Sequence, residues 1–227
     1  MTKRGKKYTE AVKLINKTKT YEVSEAVELV VKTGTTKFDP TVEVHIRLGI
    51  DTKKSDQQLR TTVSLPHGTG RTKRVAVFAE GKAKDEAKAA GAHLVGGTEL
   101  IDEIQKTGKT DFDIAVATPD MMKDLAKVAK VLGPKGLMPN PKSDTVTPNV
   151  GQAVKELSQG KVAIKNDRSG NVHVPVGKVS FGTEKLSENL NVLIDVVKRS
   201  KPDDFKGTYI RNVSLSTTMG PGISVTV

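Results

Sequence analysis

Thr41-Val42-Glu43-Val44-His45-Ile46-Arg47-Leu48-Gly49-Ile50-Asp51 sets Val42, Val44, Ile46, Leu48 and Ile50 against Glu43, His45 and Arg47. Successive side chains of a strand point to opposite faces, so this alternation predicts a strand with one face in a core and the other toward water. Something must cover the apolar face. Upstream, Ser24 is placed to cap a helix in which Ala26, Val27, Val30 and Val31 recur at helical spacing, with Glu25 and Glu28 favourable in its first turn. Residues 6–16 read as a short basic helix before it. Downstream, residues 59–65 repeat the strand pattern and end at Pro66-His67-Gly68-Thr69-Gly70.

Similar sequence returns near the C-terminus. Residues 161–165 and 171–176 flank Asn166-Asp167-Arg168-Ser169-Gly170, a good hairpin turn. A helix over 183–198 places Leu186, Leu190, Leu193, Ile194 and Val197 on one stripe, and residues 209–218 and 223–227 alternate again. Neither end of the chain supplies enough sheet for a stable core alone. Residues 1–67 and 161–227 are therefore expected to fold together as an α+β domain, with 68–160 inserted between them. The crossings at 66–70 and 158–160 would lie side by side as a hinge of Pro66, Gly68, Gly70 and Gly160. Three consecutive domains are the weaker alternative, since segments of about 65 residues make marginal cores.

The middle segment has its own pattern. A compact apolar strand at 74–79 precedes a helix at 82–90, a short strand at Leu94-Val95 and a helix at 99–106. A strand at 112–117, a helix at 120–132 and a last helix at 149–158 complete it. Alternating strand and helix predicts a parallel sheet covered by helices. The helix carrying Leu125, Val128, Ala129 and Leu132 should stop at Gly133-Pro134, where Gly takes a left-handed cap and Pro cannot continue the ladder. The loop beyond is punctuated by Pro134, Gly136, Pro139 and Pro141, which should hold it in one shape, and it carries Lys135 and Lys142.

Charge narrows the partners. The 227 residues carry 37 Lys+Arg against 26 Asp+Glu, a net +11, which asks for an anionic partner. Segments 1–67, 68–160 and 161–227 hold net charges of +5, +2 and +4, so the two outer segments carry most of it. With no Cys there are no disulfides and no thiolate metal sites, in keeping with a reducing cytosol. No apolar run approaches a membrane span and the start is polar, so a soluble protein is expected.

Enzyme readings find little support. Glu80-Gly81-Lys82-Ala83 stands where a dinucleotide fold would carry its glycine-rich turn, and no Gly-Lys-Ser/Thr phosphate loop occurs. His45, His67, His93 and His173 lack ligand spacing, so neither a metal nor a cofactor is expected. His45 and His173 read as surface or satisfied core residues, and Asp111 and Asp113 as solvated strand-edge residues. A basic chain with 4% aromatics and no Trp suits structured RNA, read by shape, phosphates and 2′-hydroxyls. Candidate contacts gather at Lys37-Phe38-Asp39-Pro40-Thr41 and at Ser216-Thr217-Thr218-Met219-Gly220-Pro221-Gly222. There hydroxyls can bond ribose and phosphate, and Gly admits close backbone approach. Phe38 and Met219 read equally well as core residues.

The chain resembles the ribosomal protein L1 family over nearly its whole length. The resemblance runs through Lys37-Phe38-Asp39, Val63-Ser64-Leu65-Pro66-His67-Gly68, Ala117-Thr118-Pro119-Asp120, residues 133–142, Asn166-Asp167-Arg168-Ser169-Gly170 and Thr217-Thr218-Met219-Gly220-Pro221. It implies an α+β split RNA-binding domain with an inserted α/β Rossmann-like three-layer domain. It further implies a cytoplasmic protein of the large ribosomal subunit, a monomer when free, that binds the stalk region of large-subunit rRNA. Release of deacylated exit-site tRNA and repression of its own operon through an mRNA copy of the rRNA site are also implied. Positions matching the family's rRNA contacts are Glu28, Lys37, Phe38, Thr41, Lys165, Arg168, Thr218, Met219 and Gly220. The carboxylate of Glu28 can accept from a ribose 2′-hydroxyl. Lys53, Lys54, Arg60, Lys135 and Lys142 are candidates for charge facing tRNA. The alternative is an enzyme with a Rossmann-like domain acting on a nucleotide or anionic metabolite.

Overall fold

The computed structural model describes every residue except 1–4, 17, 55, 203, 204 and 227, together with all their side chains save that of Lys142. The chain forms two compact units, one of Met1–Gly70 with Val162–Val227 and one of Arg71–Lys161. The first is therefore built from both ends of the chain.

In the first unit a four-stranded antiparallel sheet runs in the order β7-β1-β8-β9, with β1 at Thr41–Leu48, β7 at Asn171–Lys178, β8 at Ile210–Thr217 and β9 at Ile223–Val225. Helices α2 (Val23–Thr33) and α8 (Gly182–Arg199) pack against this sheet and each other. The cause is the register. Pairing Val44 with Val174 and Leu215, and Ile46 with Val172 and Val213, puts every branched side chain on one face. That face meets Ala26, Val27 and Val30 of α2 and Leu186, Leu190, Leu193 and Val197 of α8 in one core. A second sheet of β2 (Arg60–Ser64) and β6 (Lys161–Lys165) adds Val63, Val162 and Ile164 to it.

Two local expectations for this unit are corrected. Ser24 lies inside the first turn of α2 and caps nothing. The extended Glu22 precedes the helix, and its carbonyl accepts the Ala26 N–H at 2.8 Å. The Asn166–Gly170 turn forms, with the Asp167 carboxylate accepting the N–H groups of Ser169 and Asn171 at 2.8 and 2.7 Å and Gly170 at φ 79°. Its flanking strands do not continue as a hairpin, however. Beyond the bridge of Asn166 with Val172, β7 joins β1 while β6 joins β2. An isolated hairpin is marginal in water, whereas a place at the edge of the four-stranded sheet, beside β1, buries Val172, Val174 and Val176 against the core.

The second unit is a three-layer α/β body. Its parallel sheet has the order β4-β3-β5, from Leu94–Gly96, Val75–Phe78 and Ile114–Ala117. Ala76 and Phe78 face a core with Ile101 and Ile104 of α4 (Thr98–Thr107) and with Met121, Leu125, Val128 and Leu132. Val75 and Val77 face the opposite core, shared with Ala87 of α3 (Lys82–Ala89) and with Val150, Val154 and Leu157 of α7 (Val150–Gln159). Covering both faces is why these strands are apolar throughout.

The helix expected over 120–132 is broken. Helical turns at Pro119–Met121 and Ala126–Val128 are tight three-residue ones, alternating with short α5 (Met122–Leu125) and α6 (Ala129–Leu132). Val128, at φ −102° and ψ 7°, interrupts the regular dihedrals, yet Met121, Leu125, Val128 and Leu132 all stay buried. Gly133 does not take the left-handed cap, since it is right-handed helical at φ −59° and ψ −56°. Gly136 has the positive φ, 70°, three residues on, and the loop closes through Gly136 N–H to the Gly133 carbonyl at 3.0 Å and Leu137 N–H to the Leu132 carbonyl at 3.0 Å. Leu137 and Met138 anchor this loop on the core, so packing and hydrogen bonds hold it as well as proline.

Candidate nucleic-acid interface

At one end of the four-stranded sheet, the start of β1 lies beside the finish of β8, with Val42 opposite Thr217. One residue beyond the paired strands, Thr218 clasps Thr41. Its N–H donates to the Thr41 carbonyl at 3.0 Å, and its hydroxyl accepts the Thr41 N–H at 3.2 Å. The chain then reverses. Met219 takes φ 69°, in the left-handed region that a long side chain seldom enters, and the Gly220 N–H returns to the Thr217 carbonyl at 2.8 Å. Glycine suits position 220, because a Cβ there would collide with the hydroxyl of Thr217 unless that side chain shifted. Strain and clasp together raise Met219 off the surface, where it is 78% exposed.

Phe38 is offered from the other side, 56% exposed. Its loop is tied at several points. The Thr36 hydroxyl donates to the Phe38 carbonyl at 2.7 Å, and the Val179 N–H donates to the Pro40 carbonyl at 3.0 Å. The Asp39 carboxylate accepts from the N–H and hydroxyl of Ser180 at 3.1 and 2.7 Å, with Lys178 Nζ at 3.9 Å. The reading of Phe38 and Met219 as core residues is thus set aside by their exposure. With Lys7, Tyr8, Thr36 and Lys37 they line a groove of about 720 Å3. Ser180, Lys7 and Tyr8 were invisible as site residues in the sequence, because each is brought to the loop by the fold.

The Ser180 hydroxyl, then its N–H and the Lys178 ammonium, hold the Asp39 carboxyl below its ordinary value. A depressed carboxyl favours the folded state above the ordinary carboxylate range, and that contribution is lost as the pH falls through the folded value. The Phe38 loop should therefore loosen on acidification below about pH 4, and Asp39→Asn should loosen it at neutral pH. Amide exchange at residues 36–40, followed against pH, checks both.

Within the first unit, Arg168 and its neighbours are not brought to this end. Arg168 sits in the turn against the far end of β1, where Thr52 donates its hydroxyl to the Arg168 carbonyl at 2.8 Å and the Leu48 N–H bonds Gly170 at 2.9 Å. Eight strand residues separate that end from Thr41, on the order of 25 Å. Lys53 and Lys54 lie in the turn that follows Thr52, exposed, and Lys165 and Arg60 are exposed at strand ends. Glu28 projects from α2 and pairs with Lys32 at 3.5 Å. In the second unit Lys135 Nζ donates to the Gly108 carbonyl at 3.1 Å and to Thr110 at 2.8 Å, so it staples its own loop. The side chain of Lys142 lies outside the described residues.

Of the glycines expected to hinge, Gly68, Gly70 and Gly160 have φ of 65°, 71° and 117°, with Gly160 closing α7. Pro66 begins a turn in which the Gly68 N–H reaches the Leu65 carbonyl at 3.0 Å. Asn189 pins that turn. It accepts from the His67 N–H at 3.2 Å and donates to the carbonyls of Gly68 and Val176 at 3.0 and 2.8 Å.

Rigidly mounted apolar side chains in water, ringed by hydroxyls and lysines, make a surface for docking on a partner rather than for transforming a substrate. Residues 30–221 match the sequence profile of the Ribosomal protein L1p/L10e family, and the chain belongs to that family. It is 55% identical over 225 residues to the large ribosomal subunit protein uL1 of Thermosipho melanesiensis, covering 99% of this chain and 97% of that relative. Family membership makes it a structural protein of the cytoplasmic ribosome and not an enzyme. Among the described residues no helix is long and apolar enough to cross a membrane.

Proposed function

We propose that this protein belongs to the large ribosomal subunit and grips the stalk region of its rRNA with the first unit, the split α+β domain. The observation that carries this is the sheet end at Thr41 and Thr218, which leaves Phe38 and Met219 in water on a rigid mount. Apolar side chains there can lie against sugar faces, while Thr218, Thr41 and Lys37 meet ribose hydroxyls and phosphates. Lys165 and Arg168, at the far end of β1, make a second foothold on the same RNA. Glu28 on α2 accepts from a ribose hydroxyl.

The Rossmann-like second unit serves as the mobile arm on the hinge at 66–70 and 158–160 and assists departure of deacylated tRNA from the exit site. An mRNA that copies the rRNA site would be held by the same surface, repressing translation of the operon. Membership in the family and the identity to a large-subunit relative support this reading over nucleotide-dependent catalysis.

Filter binding to the stalk junction of large-subunit rRNA, at physiological salt with excess tRNA, tests the grip. Tight binding that survives the competitor is expected, and binding that tRNA displaces would reduce it to attraction between +11 and phosphate. In the same assay Lys135→Ala should leave affinity within about twofold of wild type, because its ammonium is spent inside the second unit.

A further inference from the structure

The face of the four-stranded sheet that points away from the core carries Glu43, His45 and Arg47 of β1 with His173 of β7 and Ser214 and Ser216 of β8. His45 and His173 are directly opposed across the β1–β7 ladder, which holds their Cβ atoms about 5 Å apart. Their rings meet edge to face, centroids 5.0 Å apart, with the two Nδ1 atoms 2.8 Å from each other. Each outer nitrogen has an oxygen partner. His45 Nε2 lies 3.0 Å from the Ser216 hydroxyl, and His173 Nε2 lies 3.7 Å from the Asp167 carboxylate.

We infer that His45 and His173 form a two-histidine site for a divalent transition-metal ion of the zinc type, bound through both Nδ1 atoms. Histidines that ligate metals give their second nitrogen to a carboxylate or hydroxyl, which fixes ring and tautomer. Here Asp167 and Ser216 hold those places, and Asp167 is itself fixed by the N–H groups of Ser169 and Asn171. Metal–nitrogen bonds of about 2.05 Å at a tetrahedral angle need about 3.3 Å between the nitrogens, so the nitrogens part by roughly half an ångström and each ring turns to aim its lone pair at the ion instead of at the other ring. The exposed face allows this, since the side chain of His173 is 54% exposed. Among the described residues no three His, Cys, Asp or Glu gather as a ligand set, so water completes the shell. Imidazole donors select zinc, nickel or copper over magnesium.

Protons balance without net release. In the metal-free pair His45 donates its Nδ1–H to His173 Nδ1 and accepts the Ser216 hydroxyl at Nε2, while His173 keeps its Nε2–H toward Asp167. When the ion arrives, the His45 proton moves to Nε2 through solvent and Ser216 turns from donor to acceptor.

Titration calorimetry of the full chain with Zn2+ should find one ion per chain. His45→Ala and His173→Ala should each weaken binding more than tenfold, Asp167→Asn by about tenfold, and His67→Ala not at all. In the wild-type protein, imidazole nitrogen NMR should show both Nδ1 signals moving with Zn2+ and neither with millimolar Mg2+. Absence of Zn2+ binding overturns the site. So does binding that survives loss of both histidines, or Zn2+ that moves His67 or His93 signals instead.

Discussion

Changing Phe38 and Met219 together to alanine is expected to lower affinity for the rRNA stalk junction on the order of a hundredfold, with no loss of folding stability. Both side chains are already in water, 56% and 78% exposed, so their truncation opens no cavity. On the RNA each would bury apolar surface worth roughly 1.5–3 kcal/mol. Some of this is offset by ordering the side chains, leaving about 3 kcal/mol, or two decades in affinity. Lys37, Lys165 and Arg168 are untouched, so the slope of affinity against salt should stay at its wild-type value while the whole line drops. That pairing separates apolar anchoring from attraction by charge. A changed slope with unchanged affinity would show that the two residues are bystanders, and a lowered melting temperature would show them to be packed. Thr218→Ala should cost less, about 1–2 kcal/mol of binding, because it removes the two hydroxyl hydrogen bonds of the Thr41 clasp, at 3.2 and 3.4 Å, and leaves the backbone one in place.

The second large effect is on folding. Asn189→Leu should destabilise the first unit by about 3 kcal/mol and lower its melting temperature by roughly 10 °C. Asn189 is fully buried among Leu186, Leu190 and Leu193. Its amide donates to two backbone carbonyls. One belongs to Val176, which the irregularity between Val42 and Glu43 leaves out of the β1–β7 register. The other is that of Gly68, in the turn where the chain leaves the unit. Leucine matches the size and offers no donor, so both carbonyls and the His67 N–H lose a partner. Guanidinium denaturation followed at Tyr209, in the first unit's core, should report the loss. The second unit has separate cores, so probes placed there should be unmoved.

Much of this was legible from local pattern. The strand at 41–48 and the helix stripe of Leu186, Leu190, Leu193 and Val197 are periodic enough that burial follows from spacing alone. The wholly apolar strands at 75–78 and 114–117 likewise announced a sheet covered on both faces. Asn189 was legible in retrospect, as the one polar residue on the apolar stripe of α8. The Asn166–Gly170 turn was readable while the fate of its strands was not, because which edge a strand joins depends on the area it buries there. Gly133 and Gly136 show the same limit at smaller scale. Either could bear a positive φ, and the packing of Leu137 and Met138 decided which did.

The amino-acid order by itself determined most of the secondary elements, though not the break in the helix expected over 120–132, together with the basic balance and the family, for these rest on neighbours along the chain and on composition. Tertiary structure alone decided that Thr41 and Thr218, 177 residues apart, clasp each other. It alone left Phe38 and Met219 in water instead of in the core, and set Lys165 and Arg168 at the opposite end of β1. Hydrogen bonds, clashes such as that guarding Gly220, and the meeting of His45 with His173 depend on distances in space. Chain separation does not encode those distances until the sheet has chosen its register.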